Sequence, residues 1–214
     1  MKRICFVGAS NVEGQGDETG KGWVGGLGEM SAAAGAPFIT CNLGIRGQTL
    51  AQITERAVAE CAPRLSSAES GLIVLATGVN DLARIRNAPP RLSLDDAAAI
   101  LVKALPLIQA VAPLVVLGPT PVHAAKMPMV VGPKRVTVEL RNDDIARANK
   151  RYRAVCVDSG VAYLDLFDIL RADSAYRNGL NANDGLHPDA AGYRAMAAHI
   201  FPSREWRQLG PLAS

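Results

Sequence analysis

Five residue types in this chain could carry nucleophilic catalysis: Ser10, Gly44, Asn80, Asp184 and His187. A serine hydroxyl is a poor nucleophile at neutral pH until an adjacent base accepts its proton. His187 offers a neutral imidazole that could take the Ser10 proton and deliver it to a leaving alcohol. Asp184, three positions earlier, could accept from the second ring nitrogen, fix the tautomer and stabilise the imidazolium. The tetrahedral oxyanion would then need donors, and the Ser10 amide, the Gly44 amide and the Asn80 side chain are the candidates. Each has a plainer reading on its own. A serine after a strand serves turns and caps, glycine serves backbone conformation, Asn80-Asp81 can cap the next helix or turn, and Asp184 is favoured at a helix start. His123, with no Asp or Glu within ten positions, and His199, among alanines in the last helix, are weaker bases.

The elements must bring these residues together. Short apolar runs at 3–7, 38–43, 72–77, 114–117 and 161–166 predict strands, each bounded by Gly, Pro or polar residues. Helical patterns fill 23–34, 49–62, 94–111, 137–158 and 188–200. The second carries Leu50, Ile53, Ala57, Val58 and Cys61 on one face. Ser93 followed by Asp95 and Asp96 opens the third in the manner of a capped helix. This alternation predicts an α/β fold, a three-layer α/β/α sandwich around a parallel sheet, as a single domain over 1–214. Ligands in such sheets bind outside the carboxyl ends of the strands. Ser10, Gly44 and Asn80 come after the first three strands, and Asp184 and His187 after the fifth and a loop. Joint placement at one edge is the feature that the plainer readings do not explain.

Phosphate-binding loops fail on their spacing. Walker A needs Gly-Lys-Ser/Thr, and Gly20-Lys21 runs into Gly22; the dinucleotide pattern after Gly14 and Gly16 meets Thr19 where a third glycine is needed. The four blocks instead resemble those of the SGNH hydrolases, the GDSL-type esterases and lipases: Ser10 in FVGASN, Gly44 in NLGIRGQT, Asn80 in TGVND and His187 in DGLHPDAAGY. The resemblance implies a flavodoxin-like five-stranded parallel sheet and ester hydrolysis through an acyl-enzyme. It implies a Ser10-His187-Asp184 triad, an oxyanion hole from Ser10, Gly44 and Asn80, and neither metal nor organic cofactor. One position departs: the family carries aspartate before its serine, and this chain carries Ala9.

Composition narrows the alternatives. The 214 residues are 49% hydrophobic and 5% aromatic, so the core is aliphatic. A net charge of +3 from scattered arginines gives no clustered basic face for nucleic acid. No run approaches the roughly 20 apolar residues of a membrane span, and the apolar run after Met1-Lys2-Arg3 is too short for a signal sequence. The spacings of Cys5, Cys41, Cys61 and Cys156 fit neither CxxC nor a zinc site, which points to free thiols and a cytoplasmic protein. The apolar stretch Pro119–Lys134, with Met127, Met129, Val130 and Val131, reads as a loop that either walls the substrate or covers the core. Leu82, Ile85 and the Arg84/Arg86 pair form a second rim, better read as a solvated face. A small-molecule ester is the expected substrate, with acyl-chain length, leaving group and oligomeric state open. Acyl transfer by the same mechanism, or a weakly catalytic carbohydrate- or acyl-binding domain, are the alternatives, and Ala9 is the feature favouring the last.

Overall fold

The computed structural model describes residues 1–66 and 70–212; the domain span expected for 1–214 otherwise includes residues outside the described set. In chain order the elements are β1 (Arg3–Gly8), α1 (Ser10–Glu13), α2 (Gly22–Ala33), β2 (Ile39–Gly44), α3 (Leu50–Leu65), β3 (Gly71–Ala76), β4 (Arg84–Ile85), α4 (Leu94–Gln109), β5 (Leu114–Leu117), β6 (Met129–Val131), β7 (Val136–Glu139), α5 (Asn142–Asp158), β8 (Ala162–Leu164), α6 (Phe167–Ala172), α7 (Ser174–Ala182), α8 (Ala190–Ile200) and α9 (Arg204–Leu209). The main sheet has five parallel strands in the order β2-β1-β3-β5-β8. The strand order reverses between β1 and β3, which is where a parallel α/β sheet opens a crevice.

The strands are apolar on both faces because both faces are covered. Along β1, Cys5 and Val7 join one buried cluster while Ile4 and Phe6 join the other. β3 alternates in the same way, with Ile73 and Leu75 on one side and Leu72 and Val74 on the other. The first cluster packs under α3, α4 and α5, through Ile53, Leu101, Ile145 and Tyr152. The second packs under α2, α8 and α9, where Phe6 meets Trp23 edge-on at 5.4 Å between ring centroids. No helix among the described residues is long and apolar enough to cross a membrane.

The 137–158 segment departs from the expected helix. Val136–Glu139 is a strand, and the helix begins only at Asn142. Val136, Thr137 and Val138 are β-branched and favour an extended, pleated neighbourhood. They find it by pairing antiparallel with Met129–Val131 on one side and Arg84–Ile85 on the other. The result is a separate three-stranded sheet, order β4-β7-β6. Part of the expected loop 119–134 is therefore a strand of this accessory sheet. The last third of the chain also holds α6, α7 and α9, which are not among the helices expected from the sequence, although α7 carries a signal in its N-cap Asp173 and in Tyr176, Gly179 and Leu180 buried on one face.

Candidate active site

Ser10 is the first residue of α1, separated from the end of β1 by Ala9 alone. The chain turns there because Val12 and Glu13 donate their amides to the Ala9 carbonyl at 3.0 and 3.1 Å. Gly14 closes the short helix in a left-handed conformation, φ 91°. The turn leaves the Ser10 side chain buried and its Oγ 2.8 Å from Nε2 of His187, across 177 sequence positions. His187 Nδ1 lies 2.7 Å from Asp184 Oδ2. With Asp184 ionised, Nδ1 donates, which leaves Nε2 free to accept from the serine hydroxyl.

The aspartate is held by its own loop. Its Oδ1 accepts from the backbone N–H groups of Leu186 and His187, both at 2.9 Å. Partial burial pushes the Asp184 carboxyl upward, but the His187 ring and these two amides outweigh it, and the group sits low, at about 2. The loop is braced from outside as well. The His123 amide donates to the Gly185 carbonyl at 2.8 Å, Lys126 Nζ donates to the Asn183 carbonyl, and Asn183 Nδ2 donates to the Gly16 carbonyl at 2.9 Å. His123 thus reaches the site through its backbone. His199 is engaged elsewhere, with Nε2 2.8 Å from Oδ2 of Asp173, the N-cap of α7.

Asn80 comes after β3 and points one side-chain N–H at the Gln48 carbonyl, 2.9 Å away. An amide has two such hydrogens, so a second remains for a ligand. Next to it, Asp81 is buried and aims both carboxylate oxygens at the Leu50 amide, each at 3.0 Å, on the first turn of α3. Burial raises its carboxyl to about 6, against the opposing pull of the Leu50 amide. Arg91 donates Nη1 to the Gly47 carbonyl at 2.9 Å. Segment 80–91 therefore grips the loop before α3 at three points: Gly47, Gln48 and Leu50.

Gly44, expected as an oxyanion donor, is packed tightly into the fold. It is the last residue of β2, paired with Gly8, and its amide already donates to Oδ1 of Asn42 at 3.0 Å. A Cβ there would collide with the backbone of Glu13, so glycine is required for α1 to pack against β2. The glycine that lines the larger cavity with Ser10 is Gly47, in a left-handed turn with φ 74°. Sequence reasoning misses it because β2 is expected to stop at residue 43, which makes Gly44 look like the loop glycine.

Ser10, His187, Asn80 and Gly47 share one cavity of about 270 Å³. Its remaining walls are mostly apolar, from Ala83, Leu186 and the accessory sheet, with Gln15 and Arg91 as the other polar liners. Of the apolar stretch singled out in the sequence, Met129 and Val131 line this cavity, Val130 faces out and Met127 packs on the core. Of the second rim, Ile85 lines it, while Arg84 pairs with Asp144 at 3.1 Å. A smaller void is lined by Ser10 together with Ala9, Ala76, Gly78 and Val79. Ala9 is the N-cap of α1 and offers it no side-chain acceptor.

A family model described as the GDSL-like Lipase/Acylhydrolase family matches residues 6–195. The chain belongs to that family. No curated protein matches it in sequence. Among solved structures it is similar to a lipase/acylhydrolase from Enterococcus faecalis, at 19% identity and TM-score 0.73, with 97% of each chain covered. It is also similar to a member of the lipolytic G-D-S-L family from Veillonella parvula, at 19% identity and TM-score 0.63, covering 95% of this chain and 98% of that one. An acetylxylan esterase from Geobacillus stearothermophilus gives 16% identity and TM-score 0.63, covering 95% and 93%. These likenesses establish that this GDSL-family chain has the parallel-sheet fold of those enzymes.

Proposed function

We propose that this GDSL-family protein is a serine esterase that hydrolyses carboxylic esters through an acyl-enzyme, with Ser10 as nucleophile, His187 as base and Asp184 as its orienting partner. The observation that carries the reading is the unbroken hydrogen-bond chain from Asp184 through His187 to Ser10, ending in a cavity. In the first step Oγ of Ser10 bonds to the ester carbonyl carbon while its proton passes to Nε2 of His187. The tetrahedral intermediate then expels the alcohol, which takes that proton. Water repeats the sequence on the acyl-enzyme, giving its proton to His187 and releasing the acid as Ser10 regains its hydrogen.

The oxyanion would be held by three donors. The Ser10 amide, at the first position of α1, has no acceptor within its helix. The second N–H of Asn80 is uncommitted to Gln48. We assign the third donor to the Gly47 amide rather than Gly44, because Gly47 shares the Ser10 cavity and Gly44 spends its amide on Asn42.

A fluorophosphonate probe tests the reading. We expect stoichiometric labelling at Ser10, loss of label in Ser10→Ala and in His187→Ala, and parallel loss of nitrophenyl ester hydrolysis. A folded protein that takes no label would favour the binding-domain alternative. Acyl transfer to alcohols, favoured over hydrolysis when both acceptors are present, would replace hydrolysis with transfer by the same residues.

A further inference from the structure

The accessory sheet contributes no residue to the triad or to the oxyanion donors, yet it forms one wall of the catalytic cavity. Its register explains how. Val138 in β7 lies opposite Ile85 on one side and Met129 on the other, so these three form a row across the sheet. Val131 and Leu140 sit two positions along from Met129 and Val138, and successive side chains of a strand alternate between faces. All five line the cavity, whereas Val130, one position out of phase, is 52% exposed. One face of this separate sheet is thus apolar and lines the cavity that holds Ser10, with Met129 and Val138 also packed against the core. Ala83 and Leu186 continue that surface. The one charged liner outside the catalytic pair, Arg91, already spends a guanidinium hydrogen on the Gly47 carbonyl.

We propose that this cavity is an acyl-binding pocket for unbranched, uncharged acyl chains of roughly six to eight carbons, with the accessory sheet as its specificity-determining wall. The proposal rests on the esterase reading above. The size comes from the volume. A chain carbon occupies about the room of a water molecule, roughly 30 Å³. A cavity of about 270 Å³ therefore holds a chain of that length beside the ester group. The chemistry comes from the lining, since an apolar wall favours methylenes and gives no partner to a buried polar group.

The test is a series of nitrophenyl esters from acetyl to dodecanoyl, with the monoester of a six-carbon dicarboxylic acid as a charged control. We expect kcat/KM to rise by about fourfold per added methylene, equivalent to about 0.8 kcal/mol each, then to level or fall beyond octanoyl. Val131→Trp should shorten the optimum, lowering the octanoyl-to-acetyl ratio at least tenfold. If that variant does not fold, as judged by thermal unfolding, Met129→Ala should lengthen the optimum by one or two carbons. A flat profile, with Ser10 still labelled by fluorophosphonate, overturns the pocket and leaves the esterase standing. Preference for the charged monoester over hexanoyl also overturns it, in favour of recognition by Arg91. Turnover of no ester, with Ser10 unlabelled, overturns the esterase reading and this one with it.

Discussion

Asn80 carries two amide hydrogens and spends one on the Gln48 carbonyl. Substitution by alanine removes the donor proposed for the oxyanion and the hydrogen bond to Gln48 in the loop that bears Gly47. We expect Asn80→Ala to lower kcat by roughly 10²–10³ with KM little changed, the signature of a contact made in the transition state; steady-state kinetics on one nitrophenyl ester checks it. At this scale the sequence is most informative where a residue's type admits few roles. A serine, an asparagine and an Asp-x-x-His pair, each after its own strand, point to one edge of a sheet, and the hydrogen bonds of Asp184, His187 and Ser10 lie there. Glycine is the weak point, because its type says only that space or conformation is restricted. Gly44 and Gly47 both satisfy that in the same eight-residue block, and only the extra residue of β2 separates a packing glycine from a cavity glycine.

The loop before α3 is the element on which the proposed oxyanion site depends, and its anchor is Asp81. The carboxylate accepts from Leu50 at the first turn of α3, where the partial positive charge of the helix end adds to the hydrogen bond. In Asp81→Ala the Leu50 amide loses its buried acceptor, and the segment Gly47–Thr49 is free to shift. We expect kcat to fall about tenfold, since small displacements of catalytic groups are costly. Asp81→Asn, which keeps an acceptor oxygen, should recover most of the loss. Equal kcat in the alanine variant would mean that Asn80 and Arg91 hold the loop without it. Strands β1, β3 and β5 are legible in the sequence because each is a short apolar run buried on both faces. The accessory sheet is not, since its hairpin reads as part of a loop and part of a helix. The signal is present: Met129–Val131 and Val136–Glu139 are separated by four residues that include Gly132. Prolines on both sides of the run mask it. Helices α6 and α9 are six residues each, too short to display a helical period.

At the level of the whole molecule, two buried or partly buried carboxyls pull stability in opposite directions with pH. Asp184 sits below its ordinary 3.8, at about 2, so its contribution is present above about pH 4 and is lost as pH falls toward 2. Asp81 sits above its ordinary value, at about 6, so the folded state holds that proton more tightly than the unfolded chain. Its effect is a penalty that is absent below about pH 4, grows as pH rises to 6 and is complete above it. The gap of about two pKa units corresponds to about 3 kcal/mol. We expect urea unfolding to show wild type losing stability between pH 4 and 6 relative to Asp81→Asn, with the two curves parallel above pH 7; a constant difference across that range would place the Asp81 proton elsewhere. The Ser10–His187 contact has a consequence on the same scale. It joins residues 177 positions apart, so a growing chain cannot form this contact until the segment carrying His187, just before α8, has emerged and folded onto the end of β1. A product of synthesis interrupted before His187 would carry Ser10 without its proposed base, so covalent labelling by an active-site probe would pass it over.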